Sequence, residues 1–225
     1  MRVRIKFTKN EPVKYLGHLD IMRTFQRAFN RAQVRMTYSE GFNPHQKMAF
    51  AQPLGVGVLS RGEYLDAVIG DGQELTLIRG RLDQAMGDGF DILDVRQLRD
   101  DAMKAMAAVG IASYEIILHD RQFSLDIGKY LDQPSIVLSK KTKTGVRQVD
   151  VKQAVISCTW KDPVLSLVVR AEGEHTLKPE LIVQDILEFH KIAYDRDHSQ
   201  IVRQDLYTRD MVPLLQYQTL SFSSH

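Results

Sequence analysis

Two features predict an α+β fold of two tandem ferredoxin-like lobes, each a β-α-β-β-α-β run with an antiparallel sheet. The first is a switch of hydrophobic period near the N-terminus. Arg2, Arg4 and Lys6 alternate with Val3, Ile5 and Phe7, the pattern of a half-buried strand. From His18 to Ala32 the period becomes helical, with Met22, Phe25, Phe29 and Ala32 on one stripe that Ile21 and Ala28 widen. The second feature is a recurrence. After residue 112 the same order of elements returns, as a repetition of pattern without residue-level identity.

In the first lobe, Asn10-Glu11-Pro12 turns the chain, and a short strand at Val34–Tyr38 leads into a loop. Gln46–Ala51 and Tyr64–Ile69 read as paired strands. Thr76 is placed to cap a helix carrying Leu75, Ile78, Leu82 and Met86, which Gly87 and Gly89 stop. Phe90–Leu98 closes the lobe. In the second, Ser113–Leu118 is a strand and Phe123–Leu131 a helix. Ser135–Leu138 and Val146–Val149 form a hairpin, and Leu165–Arg170 is a strand. Pro179 starts a helix carrying Ile182, Ile186 and Phe189, and Ile201–Tyr207 is the last strand. The expected organisation is a lobe at 1–98, a linker at 99–112, a lobe at 113–210 and a loose tail at 211–225.

Of the 225 residues, 44% are hydrophobic and 26% charged, enough to bury a core. The net charge of +2 makes no global case for nucleic acid, so any basic surface must be local. The single cysteine, Cys158, excludes an internal disulfide and a cysteine-only metal site, and reads as core filler beside Trp160. No apolar run approaches membrane-spanning length and no signal-peptide pattern is present, so a cytoplasmic, reducing setting with no membrane partner is expected.

Polar and aromatic side chains concentrate in two places, Gly17-His18-Leu19-Asp20 and Tyr38-Ser39-Glu40-Gly41-Phe42-Asn43-Pro44-His45. In a ferredoxin-like lobe a helix start and a loop entering a strand can share a sheet edge. On that reading His18, Asp20, Glu40 and His45 would meet as acid–base groups, with Ser39 and Asn43 beside them. The alternative is local: Asp20 caps its helix and pairs with Arg23, while the loop residues only shape a turn. Arg23, Arg27 and Arg31 follow at four-residue steps. With Arg2, Arg4, Lys6 and Lys47 they would form a phosphate-binding face, and Tyr38 and Phe42 would stack bases. A plain solvated helix face is the competing reading. The basic run Lys140-Lys141-Thr142-Lys143, with Arg147, suits either a nucleic-acid backbone or a soluble hairpin edge. No metal-ligand spacing and no cofactor loop is present.

Several stretches together resemble a bacterial family of radical-SAM-associated proteins: Arg4-Ile5-Lys6-Phe7-Thr8-Lys9, Tyr15-Leu16-Gly17-His18-Leu19-Asp20-Ile21-Met22-Arg23, and Tyr38-Ser39-Glu40-Gly41-Phe42-Asn43-Pro44-His45. Pro53-Leu54-Gly55-Val56-Gly57 and Gly62-Glu63-Tyr64-Leu65-Asp66 extend the likeness, as do Lys140-Lys141-Thr142-Lys143 and Leu177-Lys178-Pro179. Gly17 departs from the family's Ser before His-Leu-Asp, which removes a hydroxyl there. The family carries no assigned reaction. It occurs alone or fused behind a radical SAM module. This chain lacks the three-cysteine motif that holds a radical SAM cluster, so the resemblance implies a companion acting with such an enzyme in trans. The expected function is accessory or substrate-binding, with RNA as substrate. His18 and His45 would be base and acid if the chain instead processes RNA without a metal. A protein–protein adaptor is the third expectation.

Overall fold

The computed structural model describes residues 1–119, 123–142 and 145–220, and the side chain of Thr142 is outside that description. The fold is α+β, with six α-helices, ten strands and antiparallel pairing among the described residues. The chain forms two compact units. One comprises Met1–Val109 and the returning segment from Asp205; the other is Gly110–Gln204.

The first unit contains β1 (Arg2–Lys9), α1 (His18–Arg31), β2 (Met48–Phe50), β3 (Leu59–Val68), α2 (Leu75–Ala85), β4 (Ile92–Gln97) and α3 (Ala105–Ala108). Its strands lie in the order β4-β1-β3-β2. In register, Ile5 faces Leu65 on one side and Val95 on the other, and Phe50 faces Leu65 from the far side of β3. The alternation read from Arg2–Phe7 sends Val3, Ile5 and Phe7 into the core. The α1 stripe also buries as expected, through Ile21, Phe25, Ala28 and Phe29. Phe7 and Phe25 meet edge to face at 4.6 Å.

The opposite side of β1 was read as a wet, basic face, and it is not one. Arg4 is fully buried. Its Nε and Nη2 donate to the two carboxylate oxygens of Asp66 at 2.7 and 3.0 Å, and Nη1 donates to the Leu214 carbonyl at 2.9 Å. Lys6 donates to Asp205 at 2.7 Å, and the Tyr64 hydroxyl donates to the same carboxylate. Burial, then the Asp205 charge, pushes the Tyr64 phenol upward. Arg2 is tied to the Ala102 carbonyl. The segment expected to be a loose tail supplies part of this packing. Leu214 is fully buried, and Thr219 forms a bridge with Leu98.

Two further expectations change in detail. Glu74, not Thr76, occupies the N-cap of α2, and the Thr76 hydroxyl donates to the Glu74 carboxylate instead. Val34–Tyr38 makes isolated bridges at Met36 and Tyr38 in place of a continuous strand.

Gly89, before β4, has φ of +98°, and a Cβ there would meet both methyls of Val13 at 2.9 Å. Gly89→Ala should therefore destabilise the protein by about 1–3 kcal/mol, read as a lower denaturant midpoint at unchanged m value. Gly41→Ala, where φ is +111° but nothing lies within 4 Å, should perturb only its loop.

The second unit contains β5 (Ile111–Leu118), α4 (Ile127–Leu131), β6 (Val137–Thr142), β7 (Gly145–Asp150), α5 (Val151–Ala154), β8 (Val155–Lys161), β9 (Val164–Arg170), α6 (Pro179–Phe189) and the start of β10 (Ser199–Tyr207). Here β10, β5, β9 and β8 lie side by side in that order. The predicted hairpin is present, but β6 and β7 form a separate two-stranded sheet. On the side of β9 away from β5 the neighbour is instead β8, which has no counterpart among the expected strands. Its burial does not alternate cleanly, and Ile156 is exposed. Cys158 sits on β8 opposite Leu167, and burial pushes its thiol up to about 12. Among the described residues no helix is long and apolar enough to cross a membrane.

Candidate nucleic-acid interface of the N-terminal unit

The 38–45 loop is pinned at its base and open at its tip. Tyr38 and Gln46 form a bridge. Above it the Ser39 amide donates to the His45 carbonyl at 2.8 Å, and the His45 amide donates to Ser39 Oγ at 3.0 Å. Ser39 Oγ also lies 2.8 Å from His45 Nδ1. Ser39 and His45 thus close a small ring that fixes the stem, which is a structural role. Beyond it Glu40, Phe42 and Asn43 are exposed, and Gly41 takes the left-handed turn. Phe42 has a relative exposure of 110%, so its ring packs on nothing. Tyr38 is 47% exposed at the stem.

The buried Gln46 ties this loop to α1. Its Nε2 donates to Asn30 Oδ1 at 2.9 Å and to the Gln26 carbonyl at 3.5 Å. Four residues on, Phe50 meets the His18 ring at 5.2 Å. The segment from Gln46 through β2 to Phe50 therefore runs back along α1, from its C-terminal half to its first residue. His18 and Asp20 sit at one end and the loop at the other, separated by about 18 Å of helix rise between residues 18 and 30. Among the described residues no hydrogen bond or ion pair joins His18 or Asp20 to Ser39, Glu40, Asn43 or His45. The single acid–base pocket expected from the sequence does not form.

Between those two ends α1 presents its arginines. Arg23 is 63% exposed and lies 3.6 Å from Asp20, a long surface pair that leaves its charge available. Arg27 is exposed and makes one 3.3 Å contact with the Thr24 hydroxyl. Arg31 departs from the ridge, because its guanidinium binds the Ala85 carbonyl at the end of α2. Lys47 is exposed but follows Gln46 in an extended chain, so it projects from the face opposite the one that meets α1. It does not join Arg23 and Arg27.

The start of α1 has its own hollow, which the sequence reading found only through His18. The walls are Phe7, Ile21, Phe50 and Leu54, and Lys9, His18, Gln52 and Glu63 supply polar groups. Lys9 is fully buried with Nζ donating to the Lys14 carbonyl at 2.8 Å, and Glu63 is 6% exposed. A strand pattern that ends in Thr8-Lys9 gave no sign that the lysine turns inward.

In the second unit the basic hairpin is partly engaged. Lys140 donates to the Thr176 carbonyl and hydroxyl, and Arg147 pairs with Glu174 at 3.1 Å. Lys143 lies outside the described residues. Among the described residues no cluster of three or more His, Cys, Asp or Glu side chains is placed to hold a metal ion.

A bacterial family described as "Uncharacterized protein conserved in bacteria (DUF2344)" matches residues 2–179. No curated protein matches the chain.

Proposed function

The chain belongs to that bacterial family, and we propose that its N-terminal unit holds single-stranded RNA along α1, as the substrate-binding companion of a radical SAM enzyme acting in trans. One observation carries the RNA reading. A fully exposed phenyl ring stands on a pinned loop that is anchored to the same helix whose exposed surface bears Arg23 and Arg27. An unpacked aromatic ring gains only by stacking, and every base offers a π-face to it. Arginines in line supply backbone contacts that need no sequence. The strand order β4-β1-β3-β2 supports a ferredoxin-like reading of this unit, and β10-β5-β9-β8 supports one for the second. The radical SAM partner rests on the sequence resemblance and on the single cysteine, which cannot hold such a cluster. Cleavage of RNA by His18 and His45 as a pair is disfavoured, since the two lie at opposite ends of the segment from Gln46 to Phe50.

Phe42→Ala tests the reading. Its side chain touches nothing, so stability should stay within about 0.5 kcal/mol of wild type. Affinity for a labelled single-stranded RNA should fall by about 1–3 kcal/mol, measured by fluorescence anisotropy. Unchanged affinity would remove the stacking role.

A further inference from the structure

We propose that the open edge of β7 binds an extended, acidic peptide segment of a partner protein, which adds to the β6–β7 ribbon as a third strand. The inference concerns the second unit alone and stands apart from the RNA reading.

β6 and β7 form a two-stranded sheet of their own, so among the described residues β7 has β6 on one side and no strand on the other. The register fixes which main-chain groups face that open side. The Val151 amide donates to the Ile136 carbonyl at 2.8 Å, and the pairing continues from there as Val137 with Asp150 and Leu138 with Val149. Bonded and non-bonded pairs alternate in an antiparallel ladder. Leu138 and Val149 therefore exchange bonds, as do Lys140 and Arg147. The N–H and C=O groups of Val146 and Gln148 then point away from β6. An unpaired edge of this kind is a template for another strand.

A groove follows that edge. Its volume is about 280 Å3, at the lower end of the range for ligand clefts. Arg147, Gln148 and Asp150 line it from β7, and Gln153, Glu174 and His175 line it from the segments around. Arg147 Nη2 pairs with Glu174 at 3.1 Å, and Lys140 Nζ donates to the Thr176 carbonyl at 2.8 Å. These two contacts hold the 174–176 segment beside the ribbon. The His175 and Gln153 side chains are exposed and have no hydrogen-bond partner among the described residues, so both can serve a ligand.

The main chain selects the occupant. An extended peptide presents N–H and C=O groups at the spacing of the β7 edge, and that pairing supplies affinity while nearby side chains supply specificity. A nucleic-acid strand has no such alternation, and the exposed Val137 and Val146 do not favour phosphate. Charge sets the kind of peptide. Lys152 adjoins Gln153, and Arg170 Nε donates to the Gln153 carbonyl at 3.1 Å. Neither has a carboxylate partner among the described residues. The carboxylates that line the groove are engaged, Glu174 with Arg147 and Asp150 with the Lys152 amide. Acidic side chains on the peptide would answer the two open cations.

The probe is a fluorescein-labelled octapeptide alternating threonine with glutamate, titrated with the full chain and read by anisotropy. It should bind saturably. The same peptide with its main-chain nitrogens methylated should bind about ten-fold more weakly, because it cannot donate to the edge. A lysine-for-glutamate peptide should also lose affinity. Gln148→Pro removes an outward amide that β6 does not use, a change that edge strands tolerate, and should weaken the first peptide about ten-fold with RNA affinity unchanged. His175→Ala with Gln153→Ala, both at exposed positions, should weaken it too and keeps the test open if the proline variant does not fold. Absence of saturable binding, or equal affinity for the methylated peptide, would overturn the proposal. So would loss of RNA binding in these variants without any peptide binding, which would assign the edge to nucleic acid.

Discussion

Asp66→Ala should cost about 3–5 kcal/mol of stability. Removing the carboxylate strands a fully buried guanidinium. Arg4 would keep its bonds to the Leu214 and Met103 carbonyls but lose both charge-assisted bonds, at 2.7 and 3.0 Å. The Ala105 amide, which donates to Asp66 Oδ2 at 2.7 Å, would lose its acceptor too. Charge-assisted bidentate pairs are among the strongest hydrogen bonds in proteins, and their worth shows mainly when one partner is deleted. The control is Arg4→Met with Asp66→Asn, which removes the charges together and should recover much of the loss. Urea unfolding followed by circular dichroism reads both. A single-mutant loss under about 1 kcal/mol would mean that the pair does not organise the sheet.

The second large effect concerns binding. Arg23→Ala with Arg27→Ala should weaken single-stranded RNA binding at low salt and flatten its salt dependence. Each lost phosphate contact should lower the slope of log K against log salt by about 0.7 for a single strand, so two contacts give about 1.4. Folding should change by less than about 0.5 kcal/mol per site, because both side chains are exposed and bury nothing. Arg31→Ala is the internal comparison. Its guanidinium is committed to the Ala85 carbonyl, so it should cost stability and leave the slope nearly unchanged.

Local patterns carried most of the element assignments and few of the interactions. The β1 alternation and the α1 stripe were legible because one face of each meets a single core. The destination of Arg4 was not. Its partner Asp66 is brought opposite by the β1–β3 register, which no local period encodes. The same holds for Lys9, whose alternation with Thr8 gives no hint that both are buried. β8 was missed because Val-Ile-Ser-Cys-Thr-Trp-Lys is exposed at Ile156 and Ser157 in succession, so its pattern never settles to a period of two. For the site, the sequence found both polar stretches but joined them wrongly. Ser39 and His45 turn toward each other to close their own loop, while the segment that follows reaches His18 only at its far end, through Phe50. Gln46 itself gave no signal. A glutamine next to a histidine in a loop-to-strand passage looks like surface, yet its amide is what fastens the loop to α1.

The central claim is that the first unit grips single-stranded RNA through backbone charge and base stacking on α1. Its most direct test is the affinity of the wild-type full chain for a labelled single-stranded RNA at two salt concentrations, alongside a duplex of the same length. The account predicts saturable binding to the single strand that weakens steeply between the two salts, with the duplex bound more weakly because its bases cannot reach Phe42. Absence of binding, or binding indifferent both to salt and to strandedness, would contradict it and leave an adaptor surface as the better reading of the exposed side chains around α1.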